Sequence, residues 1–388
     1  MPKTLPRGTV EPLAITGAGV VSAAGLGLAA LGDAIAGKPL ADSPPADPQP
    51  GDYPAGPMRP VPPVDFAEHL GRKGLRHLDR TTKLGLLACK LALDSTDDQA
   101  SDPATGVVMG TSTGSIRSTA EFCRDTLVHD RPYLVDAGSF PNTVMNCCAG
   151  QIAIRYGLHG VNATLAGGQL SSVLALRYAR NALVGRQSPR LLVGGVEELG
   201  PQSAWAWHLA GGLAPEAGLG EGCAVFSVSG APEAAPDGGT ADPAGDGRPA
   251  APPLAWLLAC EVAYLGGEVH RGRLAEGLAG VIARAMRRSG VRPEEVDLVS
   301  MGACGHRGLR RIEERAVTAA LERVPERVLR AGEAIGECYS AAGALQLAAL
   351  LGEWQERPDS AGRVGLVTAV GSDGNAGCVV VRAPAPVG

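Results

Sequence analysis

The chain has 388 residues, 45% of them apolar, with 35 Lys+Arg against 40 Asp+Glu and a formal net charge of −5. That length supports a large core, as one big domain or two tightly packed halves, and the mild acidity without any Lys/Arg-rich run argues against nucleic acid as a partner. The N-terminus lacks a signal-peptide apolar stretch and no apolar run approaches the roughly 18–20 residues of a bilayer span, so the expected setting is the cytoplasm, away from any membrane.

Pro12–Val21 reads as a strand entering a glycine turn, and Gly25–Ala36 as a helix. Residues 41–63 are rich in Pro, Gly, Ala and Asp, lack periodicity and form a loop, because such a composition cannot bury enough apolar surface to offset its ordering entropy. Thr81–Ser95 is helical, with apolar residues at 84, 86, 87, 91 and 93. Gly106–Gly110 is a strand, Ile116–Leu127 a helix, and 142–157 an apolar, largely helical stretch. Gly160–Leu176 contains a short strand, a turn of small residues and the start of a helix over 170–183. Strands follow at Leu191–Gly195 and Cys223–Val228.

A second Pro/Gly/Ala-rich loop, 231–253, divides the chain into halves at 1–230 and 254–388. The second half repeats the alternation: a strand near 254–264, an amphipathic helix Arg271–Ser289, a strand Val296–Met301 and a helix Arg310–Leu321. An Ala/Leu-rich helix Ser340–Gly352 and paired strands Val364–Ala369 and Cys378–Arg382 close it. Strand–helix alternation in both halves predicts an α/β fold whose sheets are covered by helices.

The 160–176 segment carries the chemistry. A strand–elbow–helix presents one side chain at a helix N-terminus, where the dipole and free N–H groups stabilise a thiolate or an oxyanion. The residue presented is Gln169, and an amide cannot attack a thioester. Nine cysteines, an odd and scattered set without a CxxC pair, argue against disulfides or a zinc site. Most are read as buried small hydrophobes, and neither metal nor cofactor is expected.

Taken in order, nine motifs resemble the β-ketoacyl synthases of the thiolase-like superfamily. They are Ile15–Ser22, Gly106–Thr111, Phe140–Asn146, the 160–176 elbow, Val193–Glu198, Leu219–Phe226, Ile312–Ala316, Ile335–Ala344 and Gly371–Ala376. The resemblance covers about Leu13 to Arg382. It implies a five-layered α-β-α-β-α fold of two similar halves, dimerising through the strand before the elbow. The family's catalysis requires a Cys, two His and a Lys. Position by position, the Cys falls on Gln169, the two His on Gly302 and Glu337, and the Lys on Gly332, while the Phe that gates the pocket falls on Ser372. No catalytic residue is therefore expected. His306, four residues beyond the first His position, is read as a surface or structural residue, and Cys304 as a buried small hydrophobe.

Two relatives in this family carry Gln in place of the Cys. One only decarboxylates malonyl units and keeps its His pair. The other is the chain-length factor, or ketosynthase β, of type II polyketide systems, an inactive homologue paired with an active ketosynthase. With both His absent, the second is the favoured reading; a malonyl-carrier-protein decarboxylase or a non-catalytic acyl-binding scaffold are the alternatives. The resemblance implies a heterodimer with an active ketosynthase, acyl carrier protein reaching it through that complex, and a shared acyl tunnel. Thr119, Phe122, Cys123, Ser139 and Phe140 are the residues expected at that tunnel and interface, with plain core packing as the competing account of the two Phe.

Overall fold

A computed structural model describes residues 10–41, 52–96, 102–230, 253–266 and 271–385. Residues 42–51 of the first predicted loop and 231–252 of the second lie outside it, as do residues 1–9. The strands are β1 (Leu13–Ser22), β2 (Gly106–Gly110), β3 (Asn162–Leu165), β4 (Arg190–Glu197), β5 (Gly222–Gly230), β6 (Ala255–Tyr264), β7 (Val296–Met301), β8 (Arg327–Leu329), β9 (Val364–Val370) and β10 (Asn375–Arg382). The helices are α1 (Gly27–Ile35), α2 (Arg80–Asp94), α3 (Ile116–Val128), α4 (Cys147–Tyr156), α5 (Ser171–Val184), α6 (Pro201–Ala210), α7 (Arg271–Ser289), α8 (Leu309–Leu321) and α9 (Ala342–Gln355).

The first half orders its strands β3-β2-β4-β5-β1 and the second β8-β7-β9-β10-β6. In each, the first three are parallel and the last two join antiparallel. The same order and polarity twice over is the pseudo-symmetry of two similar halves. They join where Leu13, Ala14 and Ile15 of β1 pair with Leu257, Trp256 and Ala255 of β6.

Helices α5 and α9 touch strands of both halves and form the central layer, while α2 and α4 cover one sheet and α7 and α8 the other. That gives the five layers α-β-α-β-α. The burial of α9 explains its composition: from Gly343 to Gly352 every residue is buried, as for a helix that is apolar all round. On the outer face α2 lies so close to β1 that a Cβ on Gly19 would sit 1.9 Å from the Ala88 carbonyl oxygen; only glycine fits there.

Two elements escape the periodicity. Helix α6 carries Trp205 and Trp207 on a segment with no clear apolar stripe, and β8 is only three residues long. Within the first predicted loop, Met58 and Arg59 form a short parallel ladder with Leu219 and Gly220. No described helix is long and apolar enough to cross a membrane.

Candidate functional site

Strand β3 runs into a turn at Gly168, whose φ of 58° favours glycine, and a 3-10 turn over Gly168–Leu170 leads into α5. Hydroxyls lash this elbow down. Ser171 Oγ donates to the Gly168 carbonyl at 2.7 Å and accepts from Gly167 N at 3.0 Å. It also lies 2.9 Å from Ser112 Oγ, whose own backbone N–H donates to Ser340 Oγ at 2.8 Å. The elbow is thus tied to the end of β2 and to the turn before α9. The side chain it presents, Gln169, is 9% exposed.

Of the two expectations for His306, surface or structural, the structure corrects the first: it is buried. It is 5% exposed, and its Nε2 stands 2.5 Å from the Gln169 carboxamide nitrogen and 2.6 Å from Glu337 Oε2. Segment 212–220 brings these together. Leu213 bridges His306, with Ala214 N donating to Gly305 O and Arg307 N to Gly212 O, each at 2.9 Å. Six residues on, Leu219 bridges Glu337, through Glu337 N to Gly218 O at 2.8 Å and Gly220 N to Glu337 O at 2.9 Å. This segment, which turns at 215–216, clamps both partners of the pair. Trp207 of α6 stacks edge-on against His306 and Tyr339, with centroids 5.4 Å and 5.3 Å away.

A ring nitrogen offers either a proton or a lone pair, so Nε2 cannot donate to Glu337 and also accept from an N–H of Gln169. The carboxylate needs the proton, which leaves the Gln169 carboxamide turned with its oxygen towards the ring; the two ends of an amide are interchangeable in shape. Burial alone would lower the His306 pKa, but the charge and hydrogen bond of Glu337, with Glu313 behind, raise it above the ordinary value. The other Glu337 oxygen accepts from Tyr339 N at 2.6 Å. Tyr339 itself has φ 43°, an unusual conformation for an aromatic residue.

The remaining emptied positions lie alongside. Gly302 N and Ala303 N both donate to the buried Glu313 carboxylate, at 3.0 and 2.8 Å. Gly332 sits on the short helix Ala331–Ile335, facing Cys304. Cys304 is half-buried, not fully buried, and donates to Met301 O at 3.2 Å. Ser372 is exposed in the turn between β9 and β10. Burial pushes up the thiol pKa of Cys89, Cys147, Cys148, Cys223, Cys260, Cys304, Cys338 and Cys378, so none of these is poised as a thiolate. No metal-holding group of three or more His, Cys, Asp or Glu exists among the described residues.

The five tunnel and interface candidates follow the C-terminal ends of the same parallel strands, since Gly110 of β2 pairs with Leu165 of β3. Ser115 caps α3 by accepting from Ser118 N, and Glu198, buried and with its pKa raised by burial to about 7, accepts from Ser115 Oγ at 3.0 Å and Arg117 N at 3.3 Å. No residue of α3 is buried. Phe122 meets Phe140, which lies on the 3-10 turn Ala137–Thr143, edge-on at 5.8 Å. Phe122 is half-buried and Phe140 55% exposed, so plain core packing is excluded for Phe140. Phe122 and Ser139 share a cavity of about 520 Å³ with Ser118, Asn142 and Glu198. Thr119 is half-buried and donates to Ser115 O, and Cys123 is exposed one turn on. Around them Leu127, Tyr133, Leu134 and Ile154 are also exposed, and β3 is an edge strand with β2 as its one neighbour in the sheet. What sequence reasoning missed is His306, Trp207 and the clamp at 212–220; a Gly-His pair in a loop gives no hint of a bridge to residue 213.

The chain matches the β-ketoacyl synthase N-terminal domain over residues 11–239 and the β-ketoacyl synthase C-terminal domain over 263–357. It is 34% identical to the ishigamide ketosynthase/chain length factor, with a TM-score of 0.81 and coverage of 96% of this chain and 99% of that one. A β-ketoacyl synthase from Burkholderia phymatum shares the fold at 18% identity and TM-score 0.79, covering 96% and 100%. The actinorhodin polyketide beta-ketoacyl synthase 2 of Streptomyces coelicolor is 26% identical over 373 residues, 87% of this chain and 84% of that protein. A match of 29% to the polyketide beta-ketoacyl synthase 2 of Streptomyces virginiae spans 198 residues, 50% of this chain and 48% of the relative.

Proposed function

The chain belongs to the β-ketoacyl synthase family, and from that premise we propose that it is the non-catalytic chain-length subunit of a type II polyketide synthase. It pairs with an active ketosynthase and shapes that partner's acyl tunnel. The observation that carries this is the state of the elbow. Residue 169 is a buried glutamine locked against an imidazole–carboxylate pair, so no nucleophile stands where the acyl chain would be held. Gly302 and Gly332 contribute no side chain, and Gln169, His306 and Glu337 are each under 10% exposed.

Pairing is supported by the unpartnered edge of β3 and the exposed apolar side chains of Leu127, Tyr133, Leu134, Phe140 and Ile154. Apolar patches of this kind mark interfaces, and an obligate interface buries above roughly 2,000 Å². Acyl carrier protein is served through the partner's site. The test is co-expression with a ketosynthase that retains Cys, His and His, followed by product analysis. A stable one-to-one complex with products that depend on this chain is expected. An indifferent monomer or homodimer, beside a ketosynthase equally active alone, would refute the proposal.

One observation bears on the decarboxylase reading: His306 returns an imidazole to Gln169. Its Nε2 proton is committed to Glu337, however, and a carboxylate beside a developing enolate repels it. The chain-length role remains the better supported, and acetyl-carrier protein formed from malonyl-carrier protein by the isolated chain would reverse that preference.

A further inference from the structure

Positions 302 and 332, with Glu337 and Gln346, border one small space of about 10 Å³. That is the room one water molecule needs and no more. Gln346, on α9, is 2% exposed. Its Nε2 donates to Ser300 O at 3.0 Å and to Thr368 O at 2.9 Å, one carbonyl from each of the adjacent strands β7 and β9. These two bonds fix which way the amide faces, because a flipped carboxamide would set its oxygen against two carbonyl oxygens. Oε1 must then point the other way, and there it is buried without a protein partner. A Cβ placed on Gly302 would lie 2.9 Å from this oxygen, so Oε1 faces the room in which a side chain at 302 would begin.

We infer that the space beside the emptied positions is a site for one water, held by Gln346 Oε1. A buried acceptor with no partner is unfavourable, the space beside it is of the right size, and Glu337 and the glycine backbones border it among apolar side chains. A side chain at 302 would crowd the Gln346 amide, with Oε1 at 2.9 Å and Nε2 at 3.2 Å, and, at 3.1 Å, the Thr368 carbonyl of a strand. It would displace the water and force the Gln346 amide to shift. This concerns the interior of the chain and holds whether or not the chain-length role does.

The test is a crystal structure of the full chain at a resolution that places waters, together with the thermal midpoints of two variants. Expected are one peak within hydrogen-bond distance of Gln346 Oε1, a clear fall in midpoint for Gly302→Ala, and near wild-type behaviour for Gly332→Ala, whose Cβ would find only Cys304, at 3.8 Å. An empty space beside Oε1, or an amide turned so that Oε1 meets a protein donor, would overturn the inference. So would a Gly302→Ala protein as stable as the wild type. Should Gly302→Ala fail to fold, the density beside Gln346 decides alone.

Discussion

Glu337→Gln tests the buried pair most directly, because it keeps the shape of the side chain and removes its charge. In the wild type the His306 pKa is raised, so the pair's stabilisation is fully present below the unfolded value of about 6.5 and fades as pH rises through the folded value. Each unit of that shift is worth about 1.4 kcal/mol. In the variant burial, the largest influence on the imidazole, is opposed only by the more distant Glu313, so its folded pKa is expected to drop below the unfolded one, and the contribution of this group now weakens as pH falls. The sign of the slope reverses. Near neutral pH the loss should be about 1.5–3 kcal/mol, that of a charge-assisted buried hydrogen bond. The 3–5 kcal/mol of a broken buried ion pair is not reached, because the imidazole escapes by releasing its proton. Glu197 and Glu198, both pushed by burial to about 7, titrate in the same range, but they are common to both proteins and cancel in the difference. The assay is the thermal midpoint of wild type and variant between about pH 5.5 and 8.5, with the His306 ring followed by NMR. A difference between the two curves that is flat across this window would refute the charged pair.

Three further outcomes are expected. Gln169→Cys alone should acquire no acyl group from acyl-carrier-protein thioesters by intact mass, since the new thiol would sit behind His306 and Trp207; a stoichiometric adduct at 169 would show the site to be open. Phe122→Ala and Phe140→Ala should each lengthen the products of the complex by an extension unit or more, because every added methylene buried is worth about 0.8 kcal/mol, and Thr119→Phe should shorten them; a product profile unchanged in both directions, with the complex intact, would remove these residues from the tunnel. Ile154→Glu, at a position 76% exposed, should change the stability of the isolated chain by under about 0.5 kcal/mol yet weaken pairing at least tenfold by size-exclusion or light-scattering titration; unaltered pairing would place the interface elsewhere.

Much of this molecule was legible in residue order because its layers impose sharp patterns. Gly106–Gly110, Arg271–Ser289 and Val296–Met301 fall where the strand and helix periods put them, and the alternation in each half gave the helix-covered sheet, though not the order of its strands. The elbow was legible for another reason: a run of small residues between a strand and a helix has few alternative geometries. Helix α6 was not, since its two Trp residues serve a local aromatic cluster and leave no periodic stripe. His306 was misplaced because its distance was counted along the chain from Gly302. The backbone instead turns under the clamp at Leu213 and carries the ring inward, a long-range pairing invisible to local spacing.

That inward turn has a physical logic. On the proposed reading, a fold that has given up four reactive side chains at the meeting point of two central helices would be left with holes, and the cost of a hole grows with its volume. Here His306 packs between Gln169 and Trp207, Glu337 holds its ring, and the space bordered by positions 302 and 332 is about 10 Å³. The N-termini of α5 and α9 stay locked through the bonds linking Ser171, Ser112 and Ser340. Strand β3 runs directly into the turn that those bonds hold, and β3 is the edge proposed to meet the partner. A subunit that contributes no nucleophile still needs a rigid interior, because any slack at residue 169 would reach that edge and blur the tunnel wall it is proposed to shape.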